Sequence, residues 1–312
     1  MFSLAFGALV FIGFAIYADA GQLVRAFADF NWWYAPVIIA CSSTNYFFRY
    51  WKWDYYTATL GIRPDRPRNL VIFFASFMMA VTPGKFGEVL KSYLLKKVNG
   101  TPISVSAPIV LVERLTDFIG LIILILAGAW VFGYGRVWVV TFAVFFTGLT
   151  ILLSWKRGSE TLIGLLRHVP VVNKFVDHAF TMYESIYTLI QPRPLFISTV
   201  LSVAAWACEC FGFFLILHVF GAPPTLLKST FIYAFSTIFG AVTMLPGGLG
   251  ATEGSLTALT VIAGATKEIA VAATFLIRAA TLWYAVIIGV VVTFAFQKRL
   301  NMDVSEVMGG EE

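Results

Sequence analysis

The sequence predicts an all-α polytopic membrane protein, with about six full transmembrane helices and two oppositely oriented re-entrant helical hairpins arranged as an inverted repeat. Three observations predict it. The 312 residues are 59% hydrophobic and only 12% charged, whereas soluble domains carry about 25% charged residues. The apolar residues fall in runs, several of them long enough for the roughly 20 helical residues that cross the hydrocarbon. Two of the runs are broken by related motifs, Thr82-Pro83-Gly84-Lys85-Phe86-Gly87-Glu88 and Leu245-Pro246-Gly247-Gly248-Leu249-Gly250-Ala251-Thr252-Glu253. Proline and glycine cannot continue a helix comfortably, and a glutamate does not face lipid without a reason.

In chain order, residues 2–17 form a short first span. Ala18-Asp19-Ala20 resembles a small-residue cleavage site, but no Lys or Arg precedes the run. A signal peptide needs that basic region, so a retained helix is expected. A polar connection with Arg25 and Asp29 leads to Trp32-Trp33-Tyr34, an interfacial aromatic anchor. Residues 34–53 form the second span. Its end carries Arg49 and Lys52 among aromatic rings, where long basic side chains are expected to snorkel. Arg63, Arg66 and Arg68 then mark a cytoplasmic loop by the positive-inside rule. Residues 70–98 are apolar for only about a dozen positions before the Pro-Gly break, too few to cross, and their second piece carries Glu88, Lys91, Lys96 and Lys97. They read as a hairpin entering and leaving on the cytoplasmic side, with the lysines as topology determinants.

Residues 106–131 form a full span with Glu113, Arg114, Thr116 and Asp117 inside it, and 137–155 return to the cytoplasm. In the linker 156–193, Val172, Phe175, Val176, Ala179, Tyr183, Ile186 and Ile190 follow the spacing of one helical face. This is the pattern of an amphipathic helix on the cytoplasmic surface. Residues 195–220 cross outward with Glu209 inside. Residues 226–264 form the second hairpin, broken at Pro246, Gly247, Gly248 and Gly250 and opening outward. Residues 269–296 cross back with Arg278 deep inside, and an acidic tail, 301–312, follows. The chain is thus one membrane domain of two halves, 1–155 and 194–300, with both termini in the cytoplasm. The net charge of +5 follows from these loops and does not signal nucleic acid.

The halves match by position. Glu88 precedes Arg114 by 26 residues and Glu253 precedes Arg278 by 25. Paired broken segments in inverted halves point to a transport site near the midplane. A helix that starts after Pro-Gly presents free N–H groups and a positive dipole end. Arg114 and Arg278 add charge-assisted bonds to a phosphate, and Glu88 and Glu253 become their counter-charges or protonatable gates. The bland alternative is that both glutamates only stabilise the first turns of their helices. Glu113 and Asp117 lie four apart as a structural partner set for Arg114, Glu209 is an isolated intramembrane acid, and Asn45 reads as helix–helix glue. Cys41, Cys208 and Cys210 are small core residues, and no set of metal ligands is present.

These residues carry a resemblance. Arg49-Tyr50-Trp51-Lys52-Trp53, the Thr82–Glu88 motif running into Lys91-Ser92-Tyr93-Leu94-Leu95, Glu113-Arg114-Leu115-Thr116-Asp117, the Leu245–Glu253 motif and Arg278 together resemble the lysylphosphatidylglycerol synthase transmembrane region, also called the flippase-like or UPF0104 family. The resemblance implies translocation of a lipid by the membrane half. Aminoacyl transfer belongs to a separate soluble domain that these motifs do not match, so it is not expected here. Lys85 stands where many relatives carry Arg, which weakens a bidentate phosphate contact at that position.

The expected function is therefore a lipid translocator in the prokaryotic plasma membrane, moving a phospholipid or polyprenyl-phosphate-linked lipid through a midplane site. The candidate substrate-binding residues are Lys85, Glu88, Arg114, Asp117, Glu253 and Arg278. Thr82, Pro83, Gly84, Gly87, Pro246, Gly247, Gly248 and Gly250 break the hairpins, and Glu113, Glu209 and Arg49 lend support. Membrane lipid is the expected partner, with a homo-oligomer or a separate lipid-modifying enzyme left open. No cofactor is expected. A transporter of small polar solutes and a non-transporting assembly factor are the alternatives. Enzymatic action on a headgroup lacks a metal set, a nucleophile elbow or a phosphate loop.

Overall fold

A computed structural model describes residues 10, 12–14, 16–82, 87–132, 136–165, 173 and 176–297. Most of the expected first span, Pro83, Gly84, Lys85 and the tail 301–312 lie outside the described residues, as do Val172 and Phe175 of the expected amphipathic face. Among the described residues the fold is helical without a strand. The helices are α1 (Ala20–Asp29), α2 (Ala35–Thr59), α3 (Arg66–Ala75, prolonged by a 3-10 turn, Ser76–Met79), α4 (Leu90–Asn99), α5 (Ile103–Phe132), α6 (Arg136–Ser154), α7 (Lys156–Leu165), α8 (Val176–Leu189), α9 (Pro192–Val219), α10 (Leu226–Val242), α11 (Ala251–Ile262), α12 (Lys267–Arg278) and α13 (Tyr284–Phe296).

Pro192–Val219, with 28 residues, and Lys267–Phe296, with 30, are long and apolar enough to cross a membrane, and α6 with α7 would do so only as a pair bent by 80°. α2 and α5, at 25 and 30 residues, have the length as well, and each carries charged side chains that the fold buries. Val137, Val144, Ile151, Phe196, Ile287 and Val291 lie exposed on the outside. A soluble surface would not carry so much open apolar area, and this is the girdle of an integral membrane protein.

The centre is built on α2 and α9, which run antiparallel. Phe30, just before α2, packs its ring 5.1 Å from Phe220 at the far end of α9. Midway, Asn45 Nδ2 donates to the Ala205 carbonyl at 2.8 Å, and Lys52 Nζ donates to Ser202 Oγ at 2.8 Å. α5 lies against both. At Gly120 a Cβ would stand 3.1 Å from Ser202, a small-residue contact typical of membrane helix pairs. Trp53, Tyr56, Phe73, Phe213 and Phe231 fill the core completely.

Several elements depart from expectation. The connection before α2 is itself a helix, α1, capped by Asp19, whose carboxylate accepts the Gly21 N–H at 2.9 Å. Leu23 of α1 is buried against Val271 and Ala272 of α12. The linker holds two helices, α7 and α8. α8 packs on protein as well as facing outward: Tyr183 is buried and donates to the Leu153 carbonyl at 3.0 Å. The last long helix contains a π-turn at Ala279–Trp283, directly after Arg278. Tyr46 Oη donates to the Thr281 carbonyl there at 2.5 Å.

In each unit a helix precedes the broken motif and a second helix follows it. In the second unit a Cβ on Gly264, after α11, would sit 3.2 Å from Pro223, before α10. The tips of the two breaks meet: Ala80 and Val81 of the first pack with Leu249 of the second and with Leu282.

Candidate functional site

After α10, Met244 already has φ 57°, and Gly247, Gly248 and Gly250 have φ of 60°, 68° and 85°. An L side chain is strained in this left-handed region, so three glycines are what the geometry demands. At Gly248 a Cβ would also come within 2.6 Å of Thr252 Oγ1. α11 then begins, with Glu253 in its first turn. Glu253 Oε2 accepts the Gly250 N–H at 2.7 Å, which satisfies one of the helix's orphan donors. Its other oxygen accepts from Arg278 Nε at 2.6 Å. Arg278 Nη2 donates to the Gly247 carbonyl at 2.7 Å. Glu253 is completely buried and Arg278 nearly so. The glutamate therefore caps its helix and pairs with the deep arginine at once.

The first break repeats the scheme with different hardware. Thr82 Oγ1 accepts the Gly87 N–H at 2.8 Å and donates to the Met79 carbonyl at 2.8 Å, joining the two sides of the break. A Cβ at Gly87 would fall 2.6 Å from Thr82 Oγ1. Glu88, buried, accepts from Arg114 Nη2 at 3.1 Å and Arg49 Nη2 at 3.4 Å, with Lys91 Nζ at 3.8 Å. Arg114 also lies 3.2 Å from Asp117 Oδ2. The equivalent pairs, Glu88 with Arg114 and Glu253 with Arg278, thus form in both halves.

Three expectations need correction. Lys52 does not snorkel: it is 1% exposed, its ammonium 2.5 Å from Asp117 Oδ1, and Ser202 Oγ donates to the same oxygen at 3.1 Å. A cation this deep is tolerable because a carboxylate and three hydrogen bonds, to the Glu113 carbonyl, Thr116 Oγ1 and Ser202 Oγ, replace its water. Arg49 likewise turns inward to Glu88. Lys91 is no exposed topology marker. It bonds Glu113 Oε2 at 2.5 Å and sits over the Trp53 and Phe73 rings at 4.7 and 5.4 Å. Glu113 therefore pairs with Lys91 and not with Arg114, and only Asp117 of that pair reaches Arg114.

A cavity of about 290 Å³ lies between the halves. Its polar wall is made by Arg49, Glu88, Arg114, Asp117, Glu209 and Arg278, and both breaks contribute, through Ala80 on one side and Leu245, Gly247 and Gly248 on the other. Glu209, unassigned to any partner by sequence, accepts from Tyr233 Oη at 2.6 Å. Tyr46 and Trp206, which no motif singled out, also line it. At the rim, Leu111, Met244 and Leu245 belong both to the cavity and to the exposed apolar surface. The space is amphipathic, charged within and apolar at its mouth. Among the described residues no cluster of His, Cys, Asp and Glu is placed to hold a metal ion.

Comparison with known proteins matches residues 2–289 to the family model described as Lysylphosphatidylglycerol synthase TM region. A UPF0104 membrane protein of Methanothermobacter thermautotrophicus is 24% identical, over 96% of this chain and 93% of its own length. UPF0104 membrane protein PH1989 of Pyrococcus horikoshii is 23% identical, over 73% of this chain and 76% of its own. UPF0104 membrane protein MJ1078 of Methanocaldococcus jannaschii is 25% identical, over 58% and 77%.

Proposed function

We propose that this chain, which belongs to the lysylphosphatidylglycerol synthase TM region family, is a lipid translocator that carries a polar headgroup between leaflets without altering it chemically. The observation that carries this reading is the amphipathic cavity between the two breaks. A headgroup fits the charged wall while its chains leave past Leu111, Met244 and Leu245 into the surrounding lipid. A path for a small polar solute has no use for an apolar, exposed mouth. Broken backbone at depth is tolerated where protein covers it or where it lines a cavity, and the second break lines the cavity at Gly247 and Gly248.

In this reading the two helix–break–helix units are re-entrant hairpins from opposite faces of a plasma membrane, and the chain termini lie in the cytoplasm. Arg114 and Arg278 attract an anionic headgroup, and Glu88 and Glu253 hold each arginine in place until the headgroup competes for it. Rocking of one half against the other then exposes the cavity to each leaflet in turn. The test is leaflet exchange of fluorescent phospholipids in proteoliposomes, read by chemical quenching of the outer leaflet. Protein-containing vesicles should exchange lipid faster than empty ones. Equal rates across a panel of anionic, zwitterionic and polyprenyl-phosphate lipids would end the reading.

A further inference from the structure

Ser198, Ser202, Trp206 and Glu209 recur along α9 at spacings of four, four and three, which places them on one helical face. Two of their polar groups have evident partners: Ser202 is bonded to Lys52 and Asp117, and Glu209 accepts from Tyr233. Trp206 lies between them. It lines the cavity and is 5% exposed, yet among the described residues its indole Nε1–H has no acceptor. A buried indole N–H normally finds one, and a phenylalanine would fill the same space without the penalty of a bare donor.

We propose, on the footing of the translocator reading above, that Trp206 is a substrate-binding residue whose indole N–H donates to a phosphate oxygen of the lipid headgroup, so that the cavity selects phosphodiester lipids over lipids with neutral sugar headgroups. The wall supports this choice of chemistry. Its cations, Arg49, Arg114 and Arg278, are donors only. Its carboxylates already accept: Glu88 from two arginines, Asp117 from Lys52 and Ser202, Glu209 from Tyr233. Trp206 also donates only. A guest that met the arginines and the indole would bring acceptors, and an anionic oxygen gains more from such donors than a neutral one does. The indole adds this contact without adding charge to a wall whose three arginines and three carboxylates are already matched.

The experiment compares wild type with Trp206→Phe in detergent, measuring affinity for dihexanoylphosphatidylglycerol, a dihexanoylglycerol glucoside and inorganic phosphate, with thermal stability of the ligand-free protein alongside. Trp206→Phe should weaken binding of the phosphodiester lipid about tenfold, the effect of one hydrogen bond to a charged oxygen, leave the glucoside unchanged and leave ligand-free stability at or above wild type. Equal weakening for both lipids, or no change for either, would overturn the proposal. Inorganic phosphate bound as tightly as the lipid would also overturn it, by assigning the site to a free ion. Should the variant lose stability, the indole ¹⁵N–H resonance of Trp206 in wild type decides, identified by its absence from a Trp206→Tyr spectrum. A downfield shift on adding the phosphodiester lipid supports the contact, and an unmoved resonance removes it. Wild type that exchanges no phospholipid at all defeats the translocator reading instead, a separate outcome.

Discussion

Arg278 and Arg114 occupy equivalent places, but the chain invests differently in each. Arg278 serves Glu253 and the Gly247 carbonyl and is 10% exposed at its side chain, against 0% for Glu253. Arg114 is 19% exposed and shares Glu88 with Arg49 and Lys91. Removing one member of a buried pair strands the other, at a cost of roughly 3–5 kcal/mol. Arg278→Ala should therefore lower thermal stability in detergent markedly more than Arg114→Ala, where Arg49 and Lys91 still face Glu88. Restoring neutrality with Glu253→Gln in the Arg278→Ala background should recover part of the loss, and failure to recover would mean that the Gly247 bond carries the effect. Lys52→Met follows the same logic, stranding Asp117 with Arg114 as its only close cation, and should destabilise by a similar amount. The glutamate–arginine pairs were legible in the sequence because repetition exposed them: the same spacing occurs twice. Lys52 was not, because its carboxylate lies 65 positions away and its aromatic neighbours imitate an interface. Trp206 gave no signal at all, since a lone tryptophan in an apolar run looks like any core ring.

Helices and breaks were legible where local chemistry decides them and misread where tertiary contacts do. The glycines at 247, 248 and 250 announce left-handed backbone through their residue type alone. α1 was missed because its polar residues read as a loop, although Leu23 docks it on α12. The π-turn after Arg278 has no sequence cue. It adds a residue to one turn of the helix and leaves carbonyls irregularly placed, one of which Tyr46 takes up, a pattern common at functional sites. Among the described glycines the closest approach to another segment's backbone is at Gly289 of α13, where a Cβ would stand 2.1 Å from the Met78 backbone nitrogen beside the first break. Backbone cannot step aside as a side chain can, so Gly289→Ala should cost about 1–3 kcal/mol as overpacking and shift the first break away from the cavity. Gly148→Ala, where nothing lies within 4 Å, is the matched control and should leave stability and lipid exchange as they are. Equal melting temperatures for the two variants would refute the crossing's importance.

At the scale of the whole molecule, composition was enough to read a membrane protein, but not that Ala80 and Val81 pack with Leu249, because that contact depends on how every intervening helix packs. The sidedness of the halves now has structural grounds to be tested. Phe30 meets Phe220, Lys267 sits 5.5 Å above the Tyr17 ring and Gly264 approaches Pro223, so the turns around 30, 220 and 264 share one end of the bundle. The antiparallel pairing of α2 with α9 sends Arg63 and Arg193 to the opposite end. Basic residues favour the cytoplasmic side, so Arg63→Cys and Arg193→Cys, in a background with Cys41, Cys208 and Cys210 replaced, should resist a membrane-impermeant maleimide in intact cells and react once the membrane is opened. Pro223→Cys and Lys267→Cys should react in intact cells. If Arg63→Cys and Lys267→Cys label from the same side, the second break does not enter opposite the first, and a cavity between two opposed hairpins could not open to the two leaflets in turn. If they label from opposite sides, the two glutamate–arginine pairs lie on either side of one cavity, each the inverted counterpart of the other, as alternating access of a single headgroup site requires.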